Sequence, residues 1–578
     1  MCRSLILSDG HGGDRTEETM KKSKICCLAL AGILGTSMFL AGCGSKGNVD
    51  KDTTVLTIYK ARPTYMVDGT QDDVVKKAIE DKFYQDTGEK ISLNVKLYND
   101  NELTQKVDIN WSKKKEDMDA VIHYISEDVG SAIKKYATEK NTVIEVSSLL
   151  EKSGKNILSE IRKNDTDHIG ERSAYFPYSD GTYAMNAIPS IEQEKGYAMT
   201  VRKDWMRQLY NEGHFSCDPE LFDTSNDEYR SMTISEFNEY LYAVKRYIPD
   251  VHYSIEGAPW TMNWLLASVY DADNYSIMLD ENGKYAPAEM NENNAVFLNQ
   301  LWQWAKDGIW ENESASRADS NRETDLLAGF TAVCCTYPQI ENVISLQRKF
   351  LAANPTGELM VVAPIAKDDG TVNGYMKRLR ASSGVILPDK INSDSEMVVK
   401  YIDWLYSDVE NYELARYGIK GEHWVEGDDY TLNGKTYKTW VYPDGKEDEF
   451  NENPPYSGEY LILENINVSN RLRGDYNTLE KRWYVLATHE FQSYSSNDIE
   501  GVWLPTIPRD LKSAYNQMTG PYVESIRSVA WAGLGDKPIT ELLAEHRPWA
   551  RTYFPEMLAW YDSSIKASVS YFDRLFKD

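Results

Sequence analysis

The sequence predicts an α/β fold built on a mainly parallel sheet, in a chain long enough for more than one lobe. Short apolar strands alternate with amphipathic helices from Val55 onward, and this alternation is typical of parallel strands joined by helices. Residues 44–578 are too many for one compact hydrophobic core. Apolar residues make up 42% of the chain, which excludes disorder over its whole length. We therefore expect two or more folded lobes.

The N-terminal region predicts export and a lipid anchor. Three lysines between residues 21 and 24 precede an apolar run from Ile25 to Leu40, which ends in Leu40-Ala41-Gly42-Cys43. A basic region, a short apolar run and a small-residue cleavage site form a secretory signal rather than a membrane span. Cys43 makes the signal more specific, because it resembles the lipobox of bacterial lipoproteins, in which acyl chains are attached to the new N-terminal cysteine. An ordinary signal peptide with an incidental cysteine is the alternative.

The boundaries of this region follow from the same pattern. Residues 1–19 are polar and precede Met20, so we expect translation to start at Met20 and 1–19 to be an artefactual extension. Residues 20–42 are then the signal peptide and 43–52 a flexible tether. The mature protein is expected on the outer face of the cytoplasmic membrane, held there by its lipid.

Charge and cysteine usage exclude several classes of function. The formal net charge is −27, which argues against binding nucleic acid or an anionic membrane through a broad basic face. Cys217, Cys334 and Cys335 indicate no disulfide framework, and the adjacent pair lies in an apolar run, which predicts burial. The eight histidines show no zinc-ligand spacing. We therefore expect no metal and no cofactor.

The folded part opens with a strand, a helix and a second strand. Val55–Tyr59 is apolar, and the apolar residues of 91–98 alternate with polar ones, which predicts a half-buried strand. Between them, Asp72 or Asp73 is placed to cap a helix that ends at Thr87-Gly88. The expected apolar face of this helix comprises Val74, Val75, Ala78, Ile79 and Phe83.

A helix over 101–114 and a strand over 119–124 continue the pattern. In parallel sheets, ligands bind beyond the carboxyl ends of the strands. The loops after Tyr59 and after Tyr124 are therefore candidate binding positions.

A second set of elements begins near Tyr183. Its signals are capping residues, helix-ending glycines and an Asn-Gly turn. A core helix face is expected from Leu301, Trp302, Trp304 and Trp310. In chain order we expect a strand over 198–202 leading into a helix at Lys203, a helix after the capping box Thr233–Glu236, a helix that includes 301–305 and ends at Gly308, strands over 330–335, 358–365 and 384–388, a helix capped by Ser393 or Asp394 that includes 397–405, and a hairpin over 431–437 turning at Asn433-Gly434.

Four stretches of this region resemble the extracellular solute-binding proteins of ABC importers, in the family 1 sugar-binding group and its Gram-positive lipoprotein type. The octad Tyr417–Trp424 is the most specific, although Lys420 stands where an acidic residue is commoner. The resemblance covers about 49–430 and is weak from 431 onward. The other three stretches are Tyr197–Trp205 followed by Thr233–Phe237, Leu327–Val333, and Ser383–Leu387 with the helix that ends in Ile402–Ser407.

The resemblance implies a two-lobed periplasmic-binding-protein-like fold with a hinge and an interlobe cleft. The implied first lobe comprises 53–180 and 381–425, and the second comprises 181–380 and 426–578. The chain would cross between lobes near 178–185, near 378–384 and after 425, so that closure is a hinge motion. A monomer is expected.

Binding residues can be argued from the chemistry of sugars. Aromatic rings stack on the apolar faces of a sugar, while carboxylates, amides and arginine bind its hydroxyls. The chain has 15 Trp, 38 Tyr and 14 Phe. Trp260 follows the turn Gly257-Ala258-Pro259, Trp264 lies one helical turn further, and Tyr337 follows the 330–335 strand. The ligand-binding candidates are Tyr59, Arg62, Tyr65, His123, Tyr124, Trp260, Trp264, Tyr337 and Trp424.

The implied function is capture of a carbohydrate, expected to be an oligosaccharide, and its delivery to the transmembrane subunits of an ABC permease. The chain carries no G-x-S-x-G, P-loop or glycine-rich dinucleotide motif, and paired carboxylates mean nothing without geometry, so no enzyme activity is expected. A secreted glycan-acting hydrolase and a surface adhesion or sensory module remain open as alternatives.

Overall fold

The structure is a computed structural model, and from Thr54 onward the chain forms a single contact unit. No helix among the described residues is both long and apolar enough to cross a membrane. The structure describes residues 52–62, 67–113, 118–124, 136–138, 142–163, 168–178, 180–191, 196–376, 383–389, 394–495, 502, 504–505 and 507–577.

Most of the strands are short. They are β1 (Thr53–Ala61), β2 (Lys90–Tyr98), β3 (Ala120–Tyr124), β4 (Tyr175–Pro177), β5 (Tyr183–Met185), β6 (Ile188–Pro189), β7 (Met199–Arg202), β8 (Ile255–Glu256), β9 (Ile277–Leu279), β10 (Tyr285–Pro287), β11 (Val333–Cys334), β12 (Leu359–Val362), β13 (Tyr375–Met376), β14 (Ser383–Ile386), β15 (Val425–Leu432), β16 (Lys435–Val441), β17 (Leu472–Arg473) and β18 (Gln492–Tyr494).

The α-helices of the described residues range in length from 5 to 21 residues. They are α1 (Asp72–Thr87), α2 (Asp100–Lys113), α3 (Ser147–Ser153), α4 (Lys155–Arg162), α5 (Ile169–Ser173), α6 (Lys203–Asn211), α7 (Ile234–Tyr247), α8 (Pro259–Leu266), α9 (Glu292–Lys306), α10 (Asp319–Ala328), α11 (Ile340–Ala353), α12 (Ser395–Ser407), α13 (Val409–Tyr417), α14 (Glu447–Glu452), α15 (Thr478–His489), α16 (Lys512–Gln517), α17 (Ser525–Trp531), α18 (Ile539–Tyr553) and α19 (Pro555–Leu575).

The first sheet has the order β2-β1-β3-β14-β6. β3 is parallel to β1, with Ile58 opposite Ala120. β14 is antiparallel to both of its neighbours, β3 and β6. The prediction of a mainly parallel sheet is therefore confirmed for the pair β1 and β3, and is wrong for β14, which returns from a distant part of the chain. We call the body around this sheet the first lobe.

Helices α1 and α12 cover the first sheet. Phe83 of α1 packs edge-on against Tyr401 and Trp404 of α12, with ring centroids 6.1 and 5.5 Å apart. The predicted apolar face of α1 was wrong at Val74, which is 48% exposed. The predicted Asp cap was also wrong, because Gln71 is the N-cap, and Asp72 instead accepts hydrogen bonds from the 69 and 457 main-chain N–H groups.

The second sheet has the order β12-β7-β11-β8 and forms the core of what we call the second lobe. β7 is antiparallel to β11 and β12, and β11 is parallel to β8. The predicted core face of α9 is confirmed, since Leu301, Trp302 and Trp304 are buried, as is Trp310 beyond the helix. Cys334 and Cys335 are buried and free.

A C-terminal layer of helices lies against the second lobe. Helix α9 has one face in the core of the second lobe and places the other, which includes Leu298 and Trp302, against residues of α17 and α18. Helix α19 joins this layer through Met557 and Tyr561. The C-terminal layer is therefore fixed to the second lobe through α9.

The chain contributes to the two lobes in separate segments. Ile188 and Pro189 pair with β14 of the first sheet, so this part of the chain belongs to the first lobe. Residues 456–463 contribute buried side chains to the core of the first lobe. Residues 472–491 contribute buried side chains to the core of the second. The segment after 426 thus packs on both lobes.

Candidate functional site

Three aromatic rings form a shelf on the second lobe, and we call Trp260, Trp264 and Tyr337 the aromatic shelf. Pro259 occupies the first turn of α8, where its missing N–H is no loss. The helix therefore begins at once after the Gly257-Ala258 turn and places Trp260 in its first turn, half-buried. The Trp260 and Trp264 rings meet edge to face, with centroids 4.6 Å apart, and the Tyr337 ring lies 6.1 Å from Trp260.

The backbone at Tyr337 is what turns its ring outward. Tyr337 follows β11 in the left-handed region with a φ of +41°, which is uncommon for a residue other than glycine. Its side chain is 44% exposed, although it follows a buried strand. Behind the shelf, the buried ring of Tyr197 stacks on Trp264 at 4.9 Å and nearly parallel. The shelf is thus exposed on one side and supported on the other.

A buried ion pair holds the turn that precedes Trp260. The Gly257 N–H donates to Glu311, and the indole N–H of Trp310 donates to the Gly257 carbonyl, at 3.0 and 2.9 Å. Arg322, which is 1% exposed, donates to Glu311 and to Asp319. One guanidinium therefore connects the Trp260 turn to α10, the helix that begins at Asp319.

The carboxylate of Asp319 also lies close to the hydroxyl group of Tyr337. Partial burial and this nearby carboxylate raise the pKa of the Tyr337 hydroxyl, because ionising it would place a second negative charge beside the first. The hydroxyl stays protonated and donates a hydrogen bond to Asp319. Stacking faces beside hydroxyl and carboxylate oxygens suit a ligand with apolar ring faces and hydroxyl edges.

The structure separates the predicted first-lobe candidates. Tyr59 is fully buried, and its hydroxyl accepts a 2.7 Å hydrogen bond from Asn110, so its ring belongs to the core. Arg62 follows β1, is partly exposed and pairs with Asp68 at 2.8 Å. His123 and Tyr124 end β3 opposite Gly384 and Ser383 of β14. Their main chain thus lies at the predicted carboxyl end of the sheet. Tyr65 and Cys43 lie outside the described residues.

Trp424 of the octad is core in this structure, in contrast to its predicted role. It is 1% exposed, and its indole N–H donates to the Gly418 carbonyl at 3.0 Å. The Arg471 guanidinium lies 5.2 Å from the ring centroid and Tyr417 packs at 5.3 Å. A ligand would reach this ring only after these neighbours moved.

A cavity of about 320 Å³ lies beside the octad and escaped the sequence-based prediction. Its walls include the half-buried rings of Tyr417, Trp440 and Tyr442. The Nδ1 atom of His423 accepts from the 419 main-chain N–H, and Nε2 lies 3.1 Å from the Gln71 amide oxygen. Burial lowers the pKa of His423, which favours the neutral ring. Trp440 and Tyr442 are two residues apart, which places them on the same face of an extended segment, and this spacing is the sequence signal that could have predicted an aromatic wall here.

Within the part of the chain that the structure describes, no group of His, Cys, Asp and Glu side chains is arranged to hold a metal ion.

No protein-family model matches the chain, and no curated protein matches it in sequence. Solved structures do match it. An extracellular solute-binding protein from Bifidobacterium longum subsp. infantis has a TM-score of 0.59 at 13% identity, covering 89% of this chain and 98% of its own. The alginate-binding protein AlgQ2 has 0.56 at 14%, covering 90% and 99%. The Streptococcus pneumoniae ABC-transporter substrate-binding protein FusA, in complex with kestose, has 0.53 at 14%, covering 90% and 100%.

These matches show the fold of the chain. It is the two-lobed α/β fold of solute-binding proteins, with a hinge and a cleft between the lobes. Of these solved structures, AlgQ2 binds alginate, and FusA is an ABC-transporter substrate-binding protein that binds kestose.

Proposed function

We propose that this protein captures an oligosaccharide outside the cell and delivers it unchanged to an ABC permease. The observation that carries the proposal is the aromatic shelf, which presents three rings on one lobe of a solute-binding fold. Closing the cleft would bring first-lobe groups near Arg62 and Tyr124 against a sugar stacked on Trp260 and Tyr337. Each lobe would offer half a site, so affinity depends on the population of the closed state.

The negative charge of the protein favours a neutral ligand over an anionic one. The chain carries a net charge of −27, and Asp319 lies close to Tyr337. Both would repel an anionic glycan unless its charges were paired. We therefore expect a neutral oligosaccharide, bound mainly by stacking and hydroxyl hydrogen bonds.

The test is calorimetric titration with a panel of neutral and acidic oligosaccharides, followed by mass spectrometry of the recovered sugar. The expected result is tight binding of a neutral oligosaccharide and its recovery intact. Trp549→Ala is the matched control for Trp260→Ala, because Trp549 is an exposed tryptophan on α18, outside the shelf. Enzyme-like turnover of a bound glycan would overturn the proposal in favour of a hydrolase.

We further propose that the protein is a family 1 lipoprotein of the Gram-positive type, monomeric and anchored through Cys43. The support is the order of basic residues, apolar run and Leu40-Ala41-Gly42-Cys43. Mass spectrometry of membrane-extracted protein should find a diacylated peptide that begins at Cys43. A Cys43→Ser form that stayed equally membrane-bound would contradict the anchor.

A further inference from the structure

The last helix of the chain contacts both lobes. Helix α19 is continuous from Pro555 to Leu575. Its N-terminal half is fixed to the second lobe, where Met557 and Tyr561 are buried in the C-terminal layer and Asp562 accepts a 3.0 Å hydrogen bond from the 285 main-chain N–H of β10. This half therefore moves with the second lobe.

The other half of α19 docks on the first lobe. Tyr571 stacks on Tyr183 of β5 with ring centroids 4.5 Å apart, and Phe572 packs edge-on against Tyr183 at 5.6 Å. Phe572 also contacts Tyr175 of β4 at 6.0 Å and is 1% exposed. The Ser568 hydroxyl hydrogen-bonds the Tyr183 hydroxyl. The docked end is thus a buried aromatic contact rather than a loose end.

The hairpin that receives α19 belongs to the first lobe. Phe176 of β4 is fully buried in a cluster that includes Tyr59 and Val121 of the first sheet. Met185 of β5 is buried in the main core of the first lobe. The hairpin is therefore fixed to the first lobe and would move with it in any hinge rotation.

From these contacts we infer that α19 is a strap between the two lobes, which holds them in the arrangement described above and must release the β4–β5 hairpin before the cleft can close. Ten residues separate Asp562 from Phe572, and at about 1.5 Å per residue they form a rigid spacer of about 15 Å. Such a helix does not stretch. A rotation that changes the distance between its two attachment points has to break one of them.

The first-lobe contact is the one expected to yield. It depends on ring contacts with a two-strand hairpin and with Arg172 of α5, whereas the second-lobe half is buried among several helices. The contacts of α19 with both lobes coexist with a Tyr337 side chain that is 44% exposed, so the strap is engaged while this ring is accessible. The strap would therefore oppose closure and lower the apparent affinity by reducing the closed population.

The test compares ligand-free wild type with Phe572→Ala, Tyr183→Phe and Ser568→Ala by small-angle X-ray scattering. Trp560→Ala is the matched control, because Trp560 lies on the same helix and packs on the C-terminal layer instead. We expect the strap variants to show a changed radius of gyration and a broader size distribution, most for Phe572→Ala. Trp560→Ala should match wild type. Tyr183→Phe and Ser568→Ala remove only hydroxyl groups, so they keep the test valid if Phe572→Ala folds poorly.

Affinity gives the second measurement and rests on the proposed function. With the neutral oligosaccharide found by calorimetry, Phe572→Ala should bind about three- to ten-fold more tightly, because fewer molecules are held open. If wild type binds no oligosaccharide, the proposed function fails while the scattering comparison still tests the strap. If scattering from every strap variant matches wild type and Trp560→Ala, the helix end is ordinary packing and the strap is refuted.

Discussion

The turns that carry Trp260 and Trp424 make an informative comparison. Both follow a glycine-containing segment, and the sequence predicts ligand contact for both. Trp260 is half-buried on the aromatic shelf, while Trp424 is enclosed by the Gly418 carbonyl, Tyr417 and Arg471. The difference comes from what covers each ring, because Arg471 arrives from a segment nearly fifty residues further along the chain.

Local backbone geometry positions an aromatic ring, but contacts with distant segments of the chain decide whether the ring is exposed or buried. At Trp260, proline starts a helix and a buried carboxylate holds the preceding turn, and the ring stays partly exposed beside the other shelf residues. At Trp424, Arg471 is itself held by Glu413 at 2.6 Å and lies over the ring. The partly exposed ring of Trp260 can contact a ligand, whereas the buried ring of Trp424 stabilises the fold.

The largest expected effect is on stability at Trp424. Trp424→Ala should lower the free energy of unfolding by about 3–5 kcal/mol, because it opens a cavity in a buried site. Urea unfolding followed by circular dichroism measures this. The folded fraction should bind oligosaccharide as wild type does, and a selective loss of affinity without a loss of stability would show that Trp424 is a ligand contact after all.

Trp260→Ala should have the opposite effects to Trp424→Ala, with weaker ligand binding and little loss of stability. Removing one stacked ring should weaken binding about ten-fold, which corresponds to about 1.4 kcal/mol. The midpoint of thermal unfolding should fall little, because the ring is only half-buried. Calorimetry and thermal melting on the same sample give both numbers. Equal affinity for Trp260→Ala and Trp549→Ala would remove the shelf from the site.

The octad should also be sensitive to pH through His423. Burial holds the pKa of His423 below its ordinary value, so the unfolded chain binds the proton more readily than the folded one. This contribution to stability is present above the unfolded pKa of about 6.5 and decreases as the pH falls below it, by at most about 1.4 kcal/mol per pH unit. Unfolding at pH 7.5 and 5.5 should show the loss, and His423→Gln should reduce it. An unchanged slope in that variant would assign the pH dependence elsewhere.

The smallest effect is expected for Tyr337→Phe. The ring is kept and only the protonated hydroxyl is lost, so affinity should fall about two- to five-fold, the value of one hydrogen bond of about 0.5–1 kcal/mol. Calorimetry beside Tyr337→Ala separates the hydroxyl from the ring. Identical losses in both variants would mean that the ring does not stack on the ligand.

Elements with strong local signals were predictable from the sequence. The capping box of Thr233 and Glu236 forms with both hydrogen bonds present, and Asp394 caps α12. The Asn433-Gly434 turn joins β15 and β16, with both residues at positive φ. These features depend on residues within a few positions of one another, so the local sequence determines them.

The sequence by itself determined the alternation of strands and helices at the start of the folded chain, the resemblance to solute-binding proteins, and the choice of Trp260, Trp264 and Tyr337 as candidate ligand contacts. Only the tertiary structure decided that Tyr59 and Trp424 are core, and that α19 reaches both lobes. The physical reason is that burial depends on contacts between segments far apart in the chain, whereas turns and caps depend on neighbours. Asn110 covers Tyr59, and Tyr183 receives α19, across separations that no local pattern records.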